Sequence, residues 1–95
     1  MTHSREQAPN PQVLFTELDD GTGVLLNLDT KFYYSLNRTA AFVWKNIASG
    51  AARTTPDLAR KLTEAFRVEL AAAERDVTSV VNEMVADGLL IPAGP

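Results

Sequence analysis

The sequence predicts an α+β fold in which a three-stranded antiparallel sheet is followed by three helices. Two observations carry this prediction. Before residue 37 the apolar residues form short blocks of the length expected for strands, and after it they recur about every 3.6 residues, as they do in helices. The connections between the predicted strands are short, and short connections join successive strands into an antiparallel meander.

The three predicted strands lie between residues 13 and 36. The first runs from Val13 to Leu18, and the second, Val24 to Leu28, is almost wholly apolar. The third, Phe32 to Leu36, contains three consecutive aromatic residues, a composition that suits a pleated surface. Asp29, Thr30 and Lys31 stand in the polar break that a hairpin between the last two strands requires.

Three helices follow the strands, and their ends are marked by local signals. They are predicted at Arg38–Ala48, Pro56–Phe66 and Ala71–Asp87. Asn37 and Thr55 each place a side-chain oxygen where it can accept hydrogen bonds from the first helical amides. Gly50 and Gly88 follow the first and third helices, where a left-handed residue commonly ends a helix.

The chain of 95 residues is long enough for one domain with a modest core. We expect a loose polar tail at residues 1–11, a domain at 12–91 and a second tail at 92–95. No apolar run approaches the roughly 20 residues that span a bilayer, and the first residues lack the apolar stretch of a signal peptide. A cytoplasmic protein without a membrane partner is the expectation.

The residue types that most catalysis requires are scarce. There is no cysteine, and the single histidine, His3, falls in the expected tail, so no Ser/His/Asp set is available within the domain. No glycine-rich phosphate loop is present. We therefore expect a protein that is not an enzyme and that uses no cofactor or metal.

A winged-helix DNA-binding regulator is the alternative that the element order supports. Two helices joined by a short link beside a small sheet are typical of a winged helix-turn-helix, whose second helix of the pair enters the major groove. Here the stretch from Glu69 to Asp87, which includes that helix, contains one base, Arg75, and five acids, Glu69, Glu74, Asp76, Glu83 and Asp87. Phosphates would repel such a helix, and we expect no nucleic-acid partner.

A peptide-binding module fits the pattern better. A three-stranded meander leaves an edge with unpaired backbone groups, and an extended peptide can pair with such an edge beside a helix. Alternation along the third strand sends Phe32, Tyr34 and Leu36 to one face, and Lys31, Tyr33 and Ser35 to the other. Phe32 and Tyr34 could equally fill the core, whereas Tyr33 favours a groove because its hydroxyl requires water or a partner.

On the third helix, Asp76, Ser79 and Glu83 share a polar stripe beside Val80. Because helices normally carry a solvated polar face, this stripe fits an ordinary surface as well as a peptide site. Val80 itself is expected in the core. The sequence by itself leaves these alternatives open.

Several motifs together resemble the PqqD-like family over about Val13 to Ile91. The most specific are Tyr34-Ser35-Leu36-Asn37-x-Thr39 with Trp44, then Glu74-x-Asp76-Val77, and finally Gly88-Leu89-Leu90. The resemblance implies a RiPP recognition element, a winged-helix-like domain that binds the leader of a ribosomally made precursor peptide as an added strand. It implies a partner enzyme as well, either a radical SAM protein or the leader peptidase and cyclase of a lasso-peptide pathway.

Carried onto this chain, the resemblance places the peptide between the third strand and the third helix. The candidate peptide-binding residues are Lys31, Phe32, Tyr33, Tyr34, Ser35, Arg75, Asp76, Ser79, Val80 and Glu83.

Overall fold

A computed structural model describes residues 6–92 and shows an α+β fold, as predicted. The elements in chain order are β1 Gln7–Pro9, β2 Val13–Glu17, β3 Gly23–Asn27, β4 Tyr33–Leu36, α1 Arg38–Ser49, α2 Thr55–Phe66, α3 Leu70–Ala86 and β5 Leu90–Pro92. The predicted meander is present as the antiparallel sheet β2-β3-β4. None of the helices in this part of the chain is long and apolar enough to cross a membrane.

The hairpin between β3 and β4 is held by Asn27. Its buried side-chain oxygen accepts hydrogen bonds from the backbone N–H groups of Asp29 (2.9 Å) and Thr30 (3.2 Å). Lys31 then adopts a left-handed conformation with φ of 67°. A strand cannot continue through that conformation, so Lys31 belongs to the turn and β4 begins at Tyr33, one residue after the start predicted from the aromatic run.

The helix ends agree with the local signals, with one correction. The Asn37 side chain accepts from the Ala40 N–H at 2.8 Å and caps α1, as predicted. The cap of α2 is Thr54, whose hydroxyl accepts from the Asp57 N–H at 3.3 Å, whereas the predicted cap, Thr55, is the first helical residue. Gly88, with φ of 76°, follows α3, and the Leu89 N–H behind it donates to the Met84 carbonyl at 2.8 Å.

The core lies between the inner face of the sheet and the three helices. Leu25 supplies the centre of the sheet side, and Trp44 of α1 is buried against the same cluster. The largest fully buried side chains are Leu25, Ile47, Leu58, Leu62, Leu89, Val43 and Val77. Val43 and Ile47 of α1, like Leu58 and Leu62 of α2, are four residues apart, which is the helical spacing of apolar residues in the sequence.

Within the described residues, the N-terminal segment is not the loose tail that its polar composition predicted. Residues Gln7–Pro9 form β1, which pairs antiparallel with β5, Leu90–Pro92, so Pro92 also belongs to the fold. Asn10 strengthens the junction, because its side-chain amide donates to the Gly88 carbonyl (2.8 Å) and its backbone N–H donates to the Leu89 carbonyl (3.0 Å). The remaining tail residues, 1–5 and 93–95, lie outside the described residues, as does His3.

Candidate functional site: an open strand edge beside helix α3

Strand β4 is an edge of the meander, and part of its backbone is unpaired. The Asn27 N–H donates to the Phe32 carbonyl at 3.0 Å, so these two residues face each other at a hydrogen-bonded position of the ladder, although the Asn27 carbonyl accepts from the Lys31 N–H of the turn at 2.7 Å. Because such pairs alternate with non-hydrogen-bonded pairs in an antiparallel ladder, Tyr33 and Ser35 direct their N–H and C=O groups away from β3. No strand within residues 6–92 pairs with that edge.

The side chains of β4 alternate as the sequence predicted. Leu36 is buried and Tyr34 packs against the core, whereas Tyr33 and Ser35 are exposed. Tyr33 has 72% of its surface accessible, an unusual exposure for a large aromatic residue. Phe32, expected on the inner face, is 62% exposed in the hairpin, so the interpretation that it fills the core is wrong.

A groove of about 430 Å³ lies between β4 and α3. Its base is apolar, since Leu36, Met84 and Leu89 line it and belong to the core. Its exposed sides include the carboxylates of Glu83 and Asp87. The full lining is Tyr33, Tyr34, Ser35, Leu36, Asn37, Ala40, Val80, Glu83, Met84, Asp87 and Leu89.

A smaller cavity of about 220 Å³ lies next along α3. It is lined by Asn37, Thr39, Asp76, Ser79 and Val80, and it shares Asn37 and Val80 with the larger groove. The two cavities therefore follow the same face of α3, from Asp76 in its first half to Asp87 at its end.

The structure brings seven of the ten candidate residues to this face. Those that line the groove or its continuation are Tyr33, Tyr34, Ser35, Asp76, Ser79, Val80 and Glu83. Arg75 instead lines a depression of about 610 Å³ that adjoins this face at Ser79 and extends around α3 to Glu74 and Thr78. Lys31 and Phe32 precede β4 in the hairpin and line none of these cavities.

Sequence reasoning missed several residues of the groove. They are Leu36, Asn37, Thr39, Ala40, Met84, Asp87 and Leu89. Met84 and Asp87 could have been found, because each lies four residues after a predicted site residue and thus on the same helical face. Asn37 and Leu89 carry no such signal, because Asn37 lies between β4 and α1 and Leu89 lies between α3 and β5, where no strand or helix period applies.

The groove is negatively charged. Its carboxylates, Asp76, Glu83 and Asp87, form no ion pair or side-chain hydrogen bond within the described residues, and no basic residue lines either cavity. The two ion pairs of residues 6–92, Lys45–Glu17 and Arg60–Asp57, lie elsewhere. This part of the chain contains no group of three or more residues able to hold a metal ion.

These features define a class of protein: a small α+β domain whose sheet has an open edge beside a groove on its last long helix. Family comparison then identifies the chain. Residues 22–90 match the family described as coenzyme PQQ synthesis protein D (PqqD). The chain belongs to the PqqD family, which confirms the resemblance seen in its motifs.

Solved structures agree with this assignment. One, described as lasso peptide synthetase B1 complexed with the leader peptide, is 31% identical with a TM-score of 0.77, and the match covers 92% of this chain and 99% of that one. A second, described as TbiB1 in complex with the TbiA(beta) leader peptide, has a TM-score of 0.80 with coverage of 93% and 99%. At 19% identity it shows a shared fold. No curated protein sequence matches the chain.

Proposed function

We propose that this domain is a RiPP recognition element, which binds the leader of a ribosomally made precursor peptide by strand addition to β4. The observation that carries the proposal is the position of the free peptide groups of Tyr33 and Ser35, directly beside a groove between β4 and α3. An extended peptide gains main-chain hydrogen bonds at such an edge, and its alternate side chains fall into the groove.

Two further findings support the proposal. The 31% identical relative is described as a complex with a leader peptide, and it matches nearly the whole chain. The acids along α3 disfavour the alternative of a DNA-binding regulator. Such a regulator would insert this helix into the major groove of DNA, where the phosphates would repel its carboxylates.

The domain's role would be delivery rather than catalysis. Holding the leader also holds the core peptide near the active site of a modifying enzyme, which raises the effective concentration of substrate there. The lasso-peptide relative favours a leader peptidase and cyclase as partners over a radical SAM protein.

A cytoplasmic location fits this role, since precursor peptides are made there. A flexible leader loses conformational entropy on binding, so we expect a Kd of about 1 μM or somewhat lower.

A titration followed by fluorescence anisotropy tests the proposal. The probe is a fluorescein-labelled synthetic leader of the precursor encoded beside the gene, and the control probe is the same peptide with its sequence scrambled. Saturable binding of the leader alone is expected. If neither peptide binds, alone or with the partner enzyme added, leader capture is wrong.

The variant Ser35→Pro tests strand addition directly. Ser35 directs its N–H away from β3, so proline removes no ladder hydrogen bond within the domain but blocks the edge against an added strand. We expect leader binding to fall at least about tenfold while the domain stays folded, as judged by circular dichroism. Ser35→Ala keeps the backbone N–H and is the matched control. An equal loss of leader affinity in both variants would contradict backbone pairing at Ser35.

A further inference from the structure

We infer that the leader segment bound beside β4 places a lysine or arginine side chain against Glu83 and Asp87. This inference rests on the proposed function and adds to it the chemistry of the bound segment. It predicts an extended peptide in which an apolar side chain enters the groove and a basic side chain lies close to it.

The side chains of the bound peptide point in directions set by the pleat of β4. A strand added to β4 alternates in phase with it, so the residue beside Tyr34 faces inward, over the groove, and its neighbours face outward with Tyr33 and Ser35. The inward position meets Leu36 and Met84, two core side chains that line the base of the groove. An apolar side chain is therefore suited to the inward position.

Two carboxylates, those of Glu83 and Asp87, lie beside that base. Glu83 and Asp87 are one helical turn apart, both are exposed, and both line the groove. Neither has a cationic partner within residues 6–92, and Asp76 adds a third carboxylate farther along the same face. A basic side chain from the peptide would complement this charge, and its long aliphatic stem could lie along the apolar base.

Both acids lie at the C-terminal end of α3. Asp87 is the C-cap of α3 and Glu83 lies in its last turn, at the negative end of the helix dipole. The last turn contains no basic residue, and like charges four residues apart also repel each other. The free domain gains no stability from this arrangement, whereas a bound cation would be attracted by the carboxylates and the dipole together.

The test uses the fluorescein-labelled leader and compares variants of both partners. Replacing each lysine or arginine of the leader by glutamine, one at a time, identifies the basic residue involved. Glu83→Gln and Asp87→Asn should each weaken binding by about two- to fivefold, the size of an exposed ion pair. Glu74→Gln removes the same charge from the other side of α3 and should leave the Kd unchanged.

Three further measurements separate this inference from general effects. Raising the salt concentration should weaken binding to the wild type more than to the double variant Glu83→Gln/Asp87→Asn. The melting temperature of that variant should equal or exceed the wild-type value, because an unfavourable charge arrangement has been removed. Glu83→Lys should regain affinity for a leader whose identified basic residue is replaced by glutamate.

The possible outcomes are distinct. A leader that binds saturably but contains no basic residue, or whose affinity changes equally in Glu74→Gln and Glu83→Gln, overturns the inference and leaves leader capture intact. Absence of saturable binding to the wild type, with the enzyme present or absent, overturns the proposed function and the inference together.

Discussion

At the scale of single residues, Tyr33 and Phe32 are neighbours with similar exposure and different surroundings. Tyr33 is 72% exposed and lines the groove, whereas Phe32 is 62% exposed and lies in the hairpin outside it. Exposed aromatic side chains contribute little to stability, so both are available for contacts with a partner. Only Tyr33 lies where a strand added to β4 would contact it.

We therefore predict that Tyr33→Ala weakens leader binding by about tenfold, which corresponds to ~1.4 kcal/mol. The free energy of unfolding of the Tyr33→Ala variant should differ from that of the wild type by no more than about 0.5 kcal/mol, as is usual for an exposed position. Anisotropy titration gives the first quantity and chemical denaturation the second.

Phe32→Ala is the matched control for this prediction. It removes an aromatic ring of similar size from the adjacent residue, and the leader Kd should stay within about twofold of the wild-type value, since substitutions away from a site have small effects. An unchanged Kd in Tyr33→Ala would remove Tyr33 from the site. Equal weakening in both variants would extend the peptide surface into the hairpin.

At the scale of elements, the junction between β4 and α1 depends on Asn37. Its side chain accepts the Ala40 N–H at 2.8 Å and satisfies one of the unpaired amides at the start of α1. The same residue lines both cavities beside α3. The cap therefore fixes the end of the edge strand relative to the groove.

We predict that Asn37→Ala lowers the free energy of unfolding by about 1 kcal/mol, the usual value of a side-chain N-cap. Asn37→Ser, which retains a capping oxygen, should restore most of that loss. Thermal and urea denaturation of the three proteins measures the effect. Equal stability of the alanine and serine variants would show that the cap contributes little.

At the scale of the whole molecule, β1 and β5 join the two ends of the described chain. The Asn10 side chain donates to the Gly88 carbonyl at 2.8 Å, and Gly88 lies between the groove residues Asp87 and Leu89. The Gln7 N–H also donates to the Arg53 carbonyl at 2.9 Å, which ties β1 to the segment between α1 and α2. The N-terminal segment thus makes hydrogen bonds to the turn that follows α3.

We predict that Asn10→Ala destabilises the domain by about 1 kcal/mol, the net value of a typical hydrogen bond. Hydrogen exchange of the Leu89 amide should become faster, because the turn that follows α3 loses a long-range contact. Asn10→Asp keeps the oxygen that accepts from the Gln12 N–H but lacks the amide donor to Gly88. It should resemble Asn10→Ala if the contact with Gly88 is the important one.

Much of the fold could be predicted because its signals are local. The caps at Asn37 and Gly88 and the polar break after Asn27 depend on residues only a few positions apart. The candidate site was predicted where a strand or helix period applied, as for Tyr33 and Glu83. The start of β4 was placed too early, because nothing in the sequence shows that Lys31 adopts a left-handed conformation.

Residue spacing and charge in the sequence are sufficient to predict the order of the three meander strands and the three helices, the inward faces of the helices and the acidic character of α3. Each of these follows from residue spacing or from charge, which local physical chemistry governs. Only the tertiary structure reveals the pairing of β1 with β5 and the inclusion of Leu89 within the groove. These depend on contacts between segments far apart in the chain, and packing selects such contacts only when the whole core forms.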